Sequence, residues 1–293
     1  YQFQPAPAFV FEGKKIISAP DPEPNRLVFL SRPSYLHPDS YSIRRESFEE
    51  RISGLHEMLI PNTGIFYKFD YLQELDALSR LPYNLVFIEG SNLPAERLYR
   101  FLAVLNVKYL ISAVALPPGA IELMRHLPDY PLWLYKVDRV IPRAYIAHAV
   151  VVEKDPLKVI ERLSSSDFDS VNEVILDRSL PVPQNDHPRA RAEILRYMNN
   201  STMIRASLNS SGVLVLTDSF YPGWNVFVDG EEREILRANY FFRGVALSPG
   251  EHRIEFRYEP ASFYYGGVIS LLALGLLFLI MVRIRKFQKI EAL

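Results

Sequence analysis

Between Phe263 and Val282 the chain carries 20 successive residues without a charge, FYYGGVISLLALGLLFLIMV. A helix rises about 1.5 Å per residue, so this run covers roughly 30 Å, the thickness of a bilayer's hydrocarbon core. A buried helix of a soluble protein is the competing reading, and both length and flanks favour the membrane. Tyr264 and Tyr265 stand at the upstream end, where amphipathic rings prefer the headgroup layer, and Arg283, Arg285, Lys286 and Lys289 follow the run. The positive-inside rule therefore puts the tail in the cytoplasm and residues before about 260 outside. A tail-anchored arrangement with the bulk in the cytosol would send those four cations across. Export of the bulk needs an earlier apolar element, and no basic n-region followed by an apolar h-region stands near Tyr1. The expectation is that preceding transmembrane helices of the same protein lie upstream of this sequence.

Ahead of the span the periodicity changes three times. Residues 1–55 are Pro-rich with little sustained pattern apart from an apolar cluster at Leu27–Leu30, and read as an extended connecting segment. Residues 56–142 read as a small α/β extracytoplasmic unit. In it Leu85–Ile88 predicts a strand, Pro94–Leu105 a helix with Leu98, Phe101, Leu102 and Leu105 on one face, and Val107–Ser112 a strand. A short helix near Ala120–Leu127 and a strand at Leu132–Val137 would complete it.

Residues 143–260 read as a β-sandwich module. Arg143–Glu153 is extended, Pro156–Leu163 a short helix with Asp155 as N-cap and Pro156 at its first position, and Val171–Asp177 a strand. Pro181, Pro183 and Pro188 mark a loop, and strands follow at Arg191–Tyr197, Met203–Leu208, Val213–Thr217, Trp224–Val228, Arg233–Leu236, Phe241–Leu247 and His252–Tyr258. Asp229-Gly230 and Pro249-Gly250 supply turns. Residues 261–293 form the transmembrane helix with its basic tail. The fold class is thus α+β: a small α/β unit, an antiparallel β-sandwich and one C-terminal transmembrane helix. The last strand reaches the helix through Glu259-Pro260-Ala261-Ser262, which sets the sandwich close to the lipid surface.

Composition narrows the partners. With 33 basic and 34 acidic residues no global field draws the chain to nucleic acid. The absence of cysteine excludes disulfides, thiolate nucleophiles and cysteine-held metals. Aromatics are abundant, 17 Tyr, 18 Phe and 2 Trp, which suits sheets, membrane interfaces and sugar-stacking surfaces.

Several short segments then point to a family. Leu214, the run Thr217-Asp218-Ser219-Phe220-Tyr221-Pro222-Gly223-Trp224, Val228-Asp229-Gly230, Arg237-Ala238-Asn239-Tyr240, Phe242-Arg243, Pro249-Gly250-Glu251-His252 and Phe256-Arg257-Tyr258 before a hydrophobic helix closely resemble the C-terminus of the bacterial YfhO family. Leu59-Ile60-Pro61-Asn62-Thr63-Gly64, Leu105-Asn106-Val107-Lys108-Tyr109-Leu110 and Pro142-Arg143-Ala144-Tyr145 are similar to its extracytoplasmic region. The resemblance runs from about residue 55 to the end. It implies a polytopic membrane protein of the GT-C glycosyltransferase type in the bacterial cytoplasmic membrane, taking sugars from a polyprenyl-phosphate donor to cell-envelope glycopolymers. That family's catalytic acids are expected in a first extracytoplasmic loop, which this sequence lacks, so no catalytic residue is assigned and no cofactor is expected within the segment.

Candidate chemistry is sparse. Asp167-Phe168-Asp169 has a spacing used by divalent metals, but hard cations need further oxygens that it does not supply, so no metal site is assigned. The six histidines show no ligand pairing, and GxSxG, P-loop and GxGxxG patterns are missing. Asn200-Ser201-Thr202 and Asn209-Ser210-Ser211 read as polar turns. The candidate carbohydrate-binding residues are Tyr221, Trp224, Asn239, Tyr240 and Arg243, beside Phe241 and Phe242, since sugar C–H faces stack on rings and hydroxyls bond polar groups. The plainer reading is that these rings fill the sandwich core and that Asn239 and Arg243 satisfy buried backbone groups. The expected partners are the lipid bilayer, upstream transmembrane helices and an envelope glycan. The segment itself is expected to support the membrane core or hold an acceptor. The competing class is a non-catalytic scaffold or lectin-like carbohydrate-binding protein, and a self-contained hydrolase ranks last.

Overall fold

The computed structural model describes residues 26–30, 70–71, 89–90, 92–112, 114–127, 132–180 and 189–291. The strand expected at Leu85–Ile88, the proline loop at 181–188 and most of the connecting segment lie outside the described residues. Arg26–Leu30, within that segment, forms β1, and Asp70–Tyr71, in the following unit, forms β2. β1 pairs in parallel with β2 and with β3, Val107–Ser112.

Helix α1, Ala95–Val104, buries Leu98, Phe101 and Leu102, as its 3.6-residue spacing requires. The expected helix near Ala120–Leu127 is instead a strand, β4, Ile121–Leu127, antiparallel to β5, Leu132–Val137. Leu, Met and Glu favour helices only weakly, and the ladder formed with β5 overrides that preference. β4 is the edge of the sheet, in order β2-β1-β3-β5-β4, and leaves Leu123 and Met124 exposed.

The extended run after Pro142 divides at His148 into β6, Ala144–Ala147, and β7, Ala149–Val152, which enter different sheets. Helix α2, Pro156–Leu163, starts as its sequence dictates: Asp155 accepts hydrogen bonds from the N–H groups of Leu157 and Lys158, and proline opens the first turn. α2 links β7 to the parallel β8, Glu173–Leu176.

The sandwich consists of two antiparallel sheets. One has the order β13-β12-β16-β10-β9 and the other β14-β15-β11-β6. Their strands are β9, Ala190–Met198; β10, Ser201–Leu208; β11, Gly212–Ser219; β12, Trp224–Val228; β13, Glu231–Arg233; β14, Leu236–Ala238; β15, Phe242–Leu247; and β16, Gly250–Tyr258. The single strand expected at Arg233–Leu236 is thus two short ones, and Glu234-Ile235 carries the chain from one sheet to the other.

The four-stranded sheet is covered on both faces, and this explains its apolar sequence. On β11, Leu214 and Leu216 join Ile204, Val226, Ile254 and Phe256 between the sheets. Val213 and Val215 point the other way, into a second cluster with Phe101, Leu102, Val159, Ile160 and Ile175. A strand buried on both sides reads as a continuous hydrophobic run rather than an alternation. The second cluster joins α1, α2 and β8 to the sandwich without a break.

Asp229 (φ +55°) and Gly230 (φ +89°) form the two-residue turn between β12 and β13, where positive φ at both positions suits the strand twist. The Arg253 N–H and the His252 ring bonded to the Asp229 carboxyl hold it below its ordinary range.

β16 passes into α3, Ala261–Glu291, through Glu259-Pro260. The segment Ala261–Met281 is long and apolar enough to cross a membrane, and none of it is buried against the rest of the chain. Phe263, Leu271, Leu272 and Leu279 are all more than three-fifths exposed. A continuous exposed apolar surface of this length calls for a lipid environment.

Candidate functional site

The helix-proximal end of the sandwich is fixed by register: Tyr258, the last residue of β16, faces Trp224, the first of β12. Gly223 ties this end to the helix entrance, its carbonyl accepting the Glu259 N–H at 2.6 Å. At φ +100° Gly223 occupies the left-handed region, and a Cβ there would come within 3.1 Å of Pro260 Cα and 3.0 Å of the Tyr258 ring. The Tyr221-Pro222-Gly223-Trp224 turn therefore packs directly on the residues that lead into the span.

Beside this turn two irregularities in strand pairing build a buried polar cluster. On β9, Ile194 faces Ile204 and Arg196 faces Met203, so Leu195 is an extra residue. Ala192 and Ile194 pack against the inner core. The insertion reverses the alternation beyond it, and Tyr197 rather than Arg196 brings its hydroxyl to the cluster while its ring stays exposed at the edge. On β11, Leu216 faces Arg243 and Ser219 faces Phe242, leaving Thr217 and Asp218 as the extra residues. The two bulges aim Tyr197 and Asp218 at one another.

Asp218 accepts hydrogen bonds from Arg143 Nε at 2.8 Å on Oδ1 and from Arg243 Nη2 at 2.8 Å on Oδ2. The Tyr197 hydroxyl lies 3.1 and 3.2 Å from the two carboxylate oxygens and accepts from Arg143 Nη2. Arg143 also reaches Asn106 Oδ1 at 3.4 Å, and Asn106 Nδ2 donates to the Ile141 carbonyl. The side chains of Arg143, Arg243 and Asp218 are 5%, 3% and 9% exposed, so these charges are stable only as a hydrogen-bonded group. Arg243 lies 3.7 Å from the centre of the Trp224 ring, a cation–π stack, and Trp224 packs at 5.3 Å on Tyr258. The cluster thus joins both sheets, the loop after α1 and the aromatic turn above the helix. With both oxygens of Asp218 engaged by guanidinium groups, it is built as a clasp rather than as an acid or base poised for proton transfer.

The five candidate residues divide between surface and interior. Tyr221 is exposed and approaches Tyr258 at 6.1 Å, and Trp224 is half-buried above Arg243. Tyr240 is half-buried under the Arg237 guanidinium, 3.9 Å from its ring centre. Asn239 is fully buried at φ +48°. Its Oδ1 accepts the Ile175 N–H at 2.8 Å, its Nδ2 donates to the Tyr145 hydroxyl at 3.0 Å, and its own N–H bonds the Ile175 carbonyl. Burial pushes the Tyr145 hydroxyl far above an ordinary phenol, against the opposing effect of the Asn239 bond, and keeps it protonated as Asn239's partner. Sequence reasoning did not single out Arg143, Asp218 or Tyr197 as a site, although the first two stand in the quoted motifs. The readable signal was a break of parity on β9, with Ala192 and Ile194 inward and Tyr197 out of step.

Asp167 and Asp169 serve local structure: Asp169 Oδ1 accepts the N–H groups of Val171 and Asn172, and Asp167 accepts from Ser166. No group of three or more His, Asp or Glu side chains able to hold a metal occurs among the described residues.

Comparison with known proteins meets the chain in this same region. Residues 185–270, from β9 through the first third of α3, match the family model described as bacterial membrane protein YfhO. A curated protein of Bacillus subtilis (strain 168), "Uncharacterized protein YfhO", is 28% identical over 84 residues, 29% of this chain and 10% of that protein. The chain thus spans about a tenth of the length of the curated relative it matches. No solved structure matches it. The clasp residues Tyr197, Asp218 and Arg243, the aromatic turn and the helix entrance all fall within the stretch that matches the family model of the bacterial membrane protein YfhO.

Proposed function

We propose that this chain is the extracytoplasmic, membrane-tethered module of a larger sugar-transferring membrane enzyme, and that it supports the membrane core and holds the acceptor polymer rather than performing the chemistry. The observation that carries this reading is the connection at the helix entrance. Two residues separate the last strand from α3, and the Gly223 carbonyl holds that link, so the Tyr221-to-Trp224 turn sits at the depth of the headgroups. The four cations after the span favour a cytoplasmic tail and an outward-facing sandwich. The resemblance to GT-C-type enzymes supplies the reaction class. A polyprenyl-phosphate-sugar is the donor expected of the whole protein, and its acceptor would be an envelope glycan.

An acceptor led along the membrane surface would meet Tyr221, the exposed ring of the candidate group, while Arg243 stacks on Trp224 from beneath. The test is sugar transfer from a labelled lipid-linked donor by the full-length protein and by the present chain alone, both in lipid nanodiscs. Transfer by the full-length protein with none by the chain is the expected result. Turnover by the isolated chain, or none by the full-length protein, would overturn the proposal.

A further inference from the structure

α1 and α2 lie against each other beside an open groove of about 550 Å³. It is lined by Arg97, Arg100, Lys158 and Arg162, with Glu161 and Ser165. The chain as a whole is close to neutral, so four cations around one groove are a local concentration. They also act against their own helices. Arg97 and Arg100 are three apart on α1, and Lys158 and Arg162 four apart on α2, spacings at which like charges repel. A fold that retains such local conflicts tends to do so where a ligand offsets them.

The side chains are partly organised in advance. Arg97 is held from behind, Nη2 donating to the Glu161 carbonyl at 2.8 Å and both Nε and Nη2 to Ser164 Oγ at 3.2 and 2.9 Å. Arg162 is braced by Glu173 at 3.1 Å and by the Phe168 ring. Among the described residues the side chains of Arg100 and Lys158 make no hydrogen bond; both are exposed, and the Lys158 charge acts on the Glu153 carboxylate. Two fixed guanidinium forks and two exposed cations, with Ser165 also lining the groove, suit a tetrahedral oxyanion. Glu161 lines the groove, Glu173 answers Arg162 and Glu153 stands near Lys158, so the four cations retain a local excess of positive charge.

We propose that this groove binds a phosphate-bearing ligand, on a site separate from the aromatic turn and independent of which side of the membrane the module faces. The test is titration of the whole chain in phosphatidylcholine nanodiscs with inorganic pyrophosphate at fixed ionic strength, read by calorimetry and by thermal shift. The double variant Arg100→Gln, Lys158→Gln should weaken binding by about tenfold or more, as loss of two charge-assisted contacts implies. It should unfold no earlier than wild type without ligand, because both substitutions relieve repulsion. The charge-matched control Arg189→Gln, Arg205→Gln should bind within about twofold of wild type, and Arg100→Lys with Lys158→Arg should keep binding. Repeating the titration in phosphatidylglycerol nanodiscs distinguishes the source: weakened pyrophosphate binding means that lipid phosphate occupies the groove, and unchanged binding points to a soluble or polymeric phosphate. Absence of pyrophosphate binding by wild type, or equal losses in the groove variant and the control, would overturn the proposal.

Discussion

Replacing Asp218 with alanine is expected to destabilise the chain by about 3–5 kcal/mol, the range for breaking a buried ion pair from one side. The carboxylate holds Arg143 and Arg243 at once, and both side chains are nearly inaccessible to water. Removing it leaves two guanidinium groups facing each other with no counter-charge between them. Tyr197→Phe removes one hydroxyl from the same group and should cost less, on the order of 1–3 kcal/mol. Guanidinium unfolding in detergent micelles, followed through tryptophan fluorescence, reports both because Trp224 stacks on Arg243. A loss below about 1 kcal/mol for Asp218→Ala would mean that the cluster does not hold the sheets together.

Asn239→Ala should cost about 2–4 kcal/mol, since it leaves the Ile175 N–H and the Tyr145 hydroxyl without their buried partner. The backbone adds to this: at φ +48° asparagine tolerates the left-handed region better than alanine does. Asn239→Gly separates the two contributions, relieving the backbone while still lacking both side-chain bonds, and should fall between wild type and alanine. Thermal unfolding of the three proteins is the measurement. Alanine and glycine variants as stable as wild type would remove Asn239 from the fold's supports.

How much of this could be read from sequence depends on whether a feature is local. The membrane helix, the capped start of α2 and the apolar run of β11 are each encoded in contiguous residues, and each lies where its pattern placed it. β4 does not: its Leu, Glu and Met residues carry a weak helical preference, and only β5, several residues later, makes it a strand. Arg233–Leu236 was legible as extended chain, but the division of this stretch between two sheets, as Glu231–Arg233 and Leu236–Ala238, depends on which strands stand beside it. The clasp was hidden for the same reason. Tyr197, Asp218 and Arg243 lie on three strands and Arg143 immediately before a fourth, and the two bulges that bring them together are properties of pairing. Of the carbohydrate candidates, the burial of Asn239 and Arg243 was the plainer reading of the sequence, whereas their partners Ile175, Tyr145 and Asp218 could not be read, because polar residues give no sign of what they meet.

The account stands on α3 crossing a bilayer with the sandwich on the outer side. The chain has no cysteine, so single cysteines can report sidedness without background. Glu251→Cys, on the exposed turn that opens β16, and Lys289→Cys, beyond the span, would be treated in intact cells with a membrane-impermeant maleimide. The account predicts labelling at position 251 in intact cells and at 289 only after permeabilisation. Labelling at 289 in intact cells with protection at 251, or protection of neither site in sealed membranes, would contradict it.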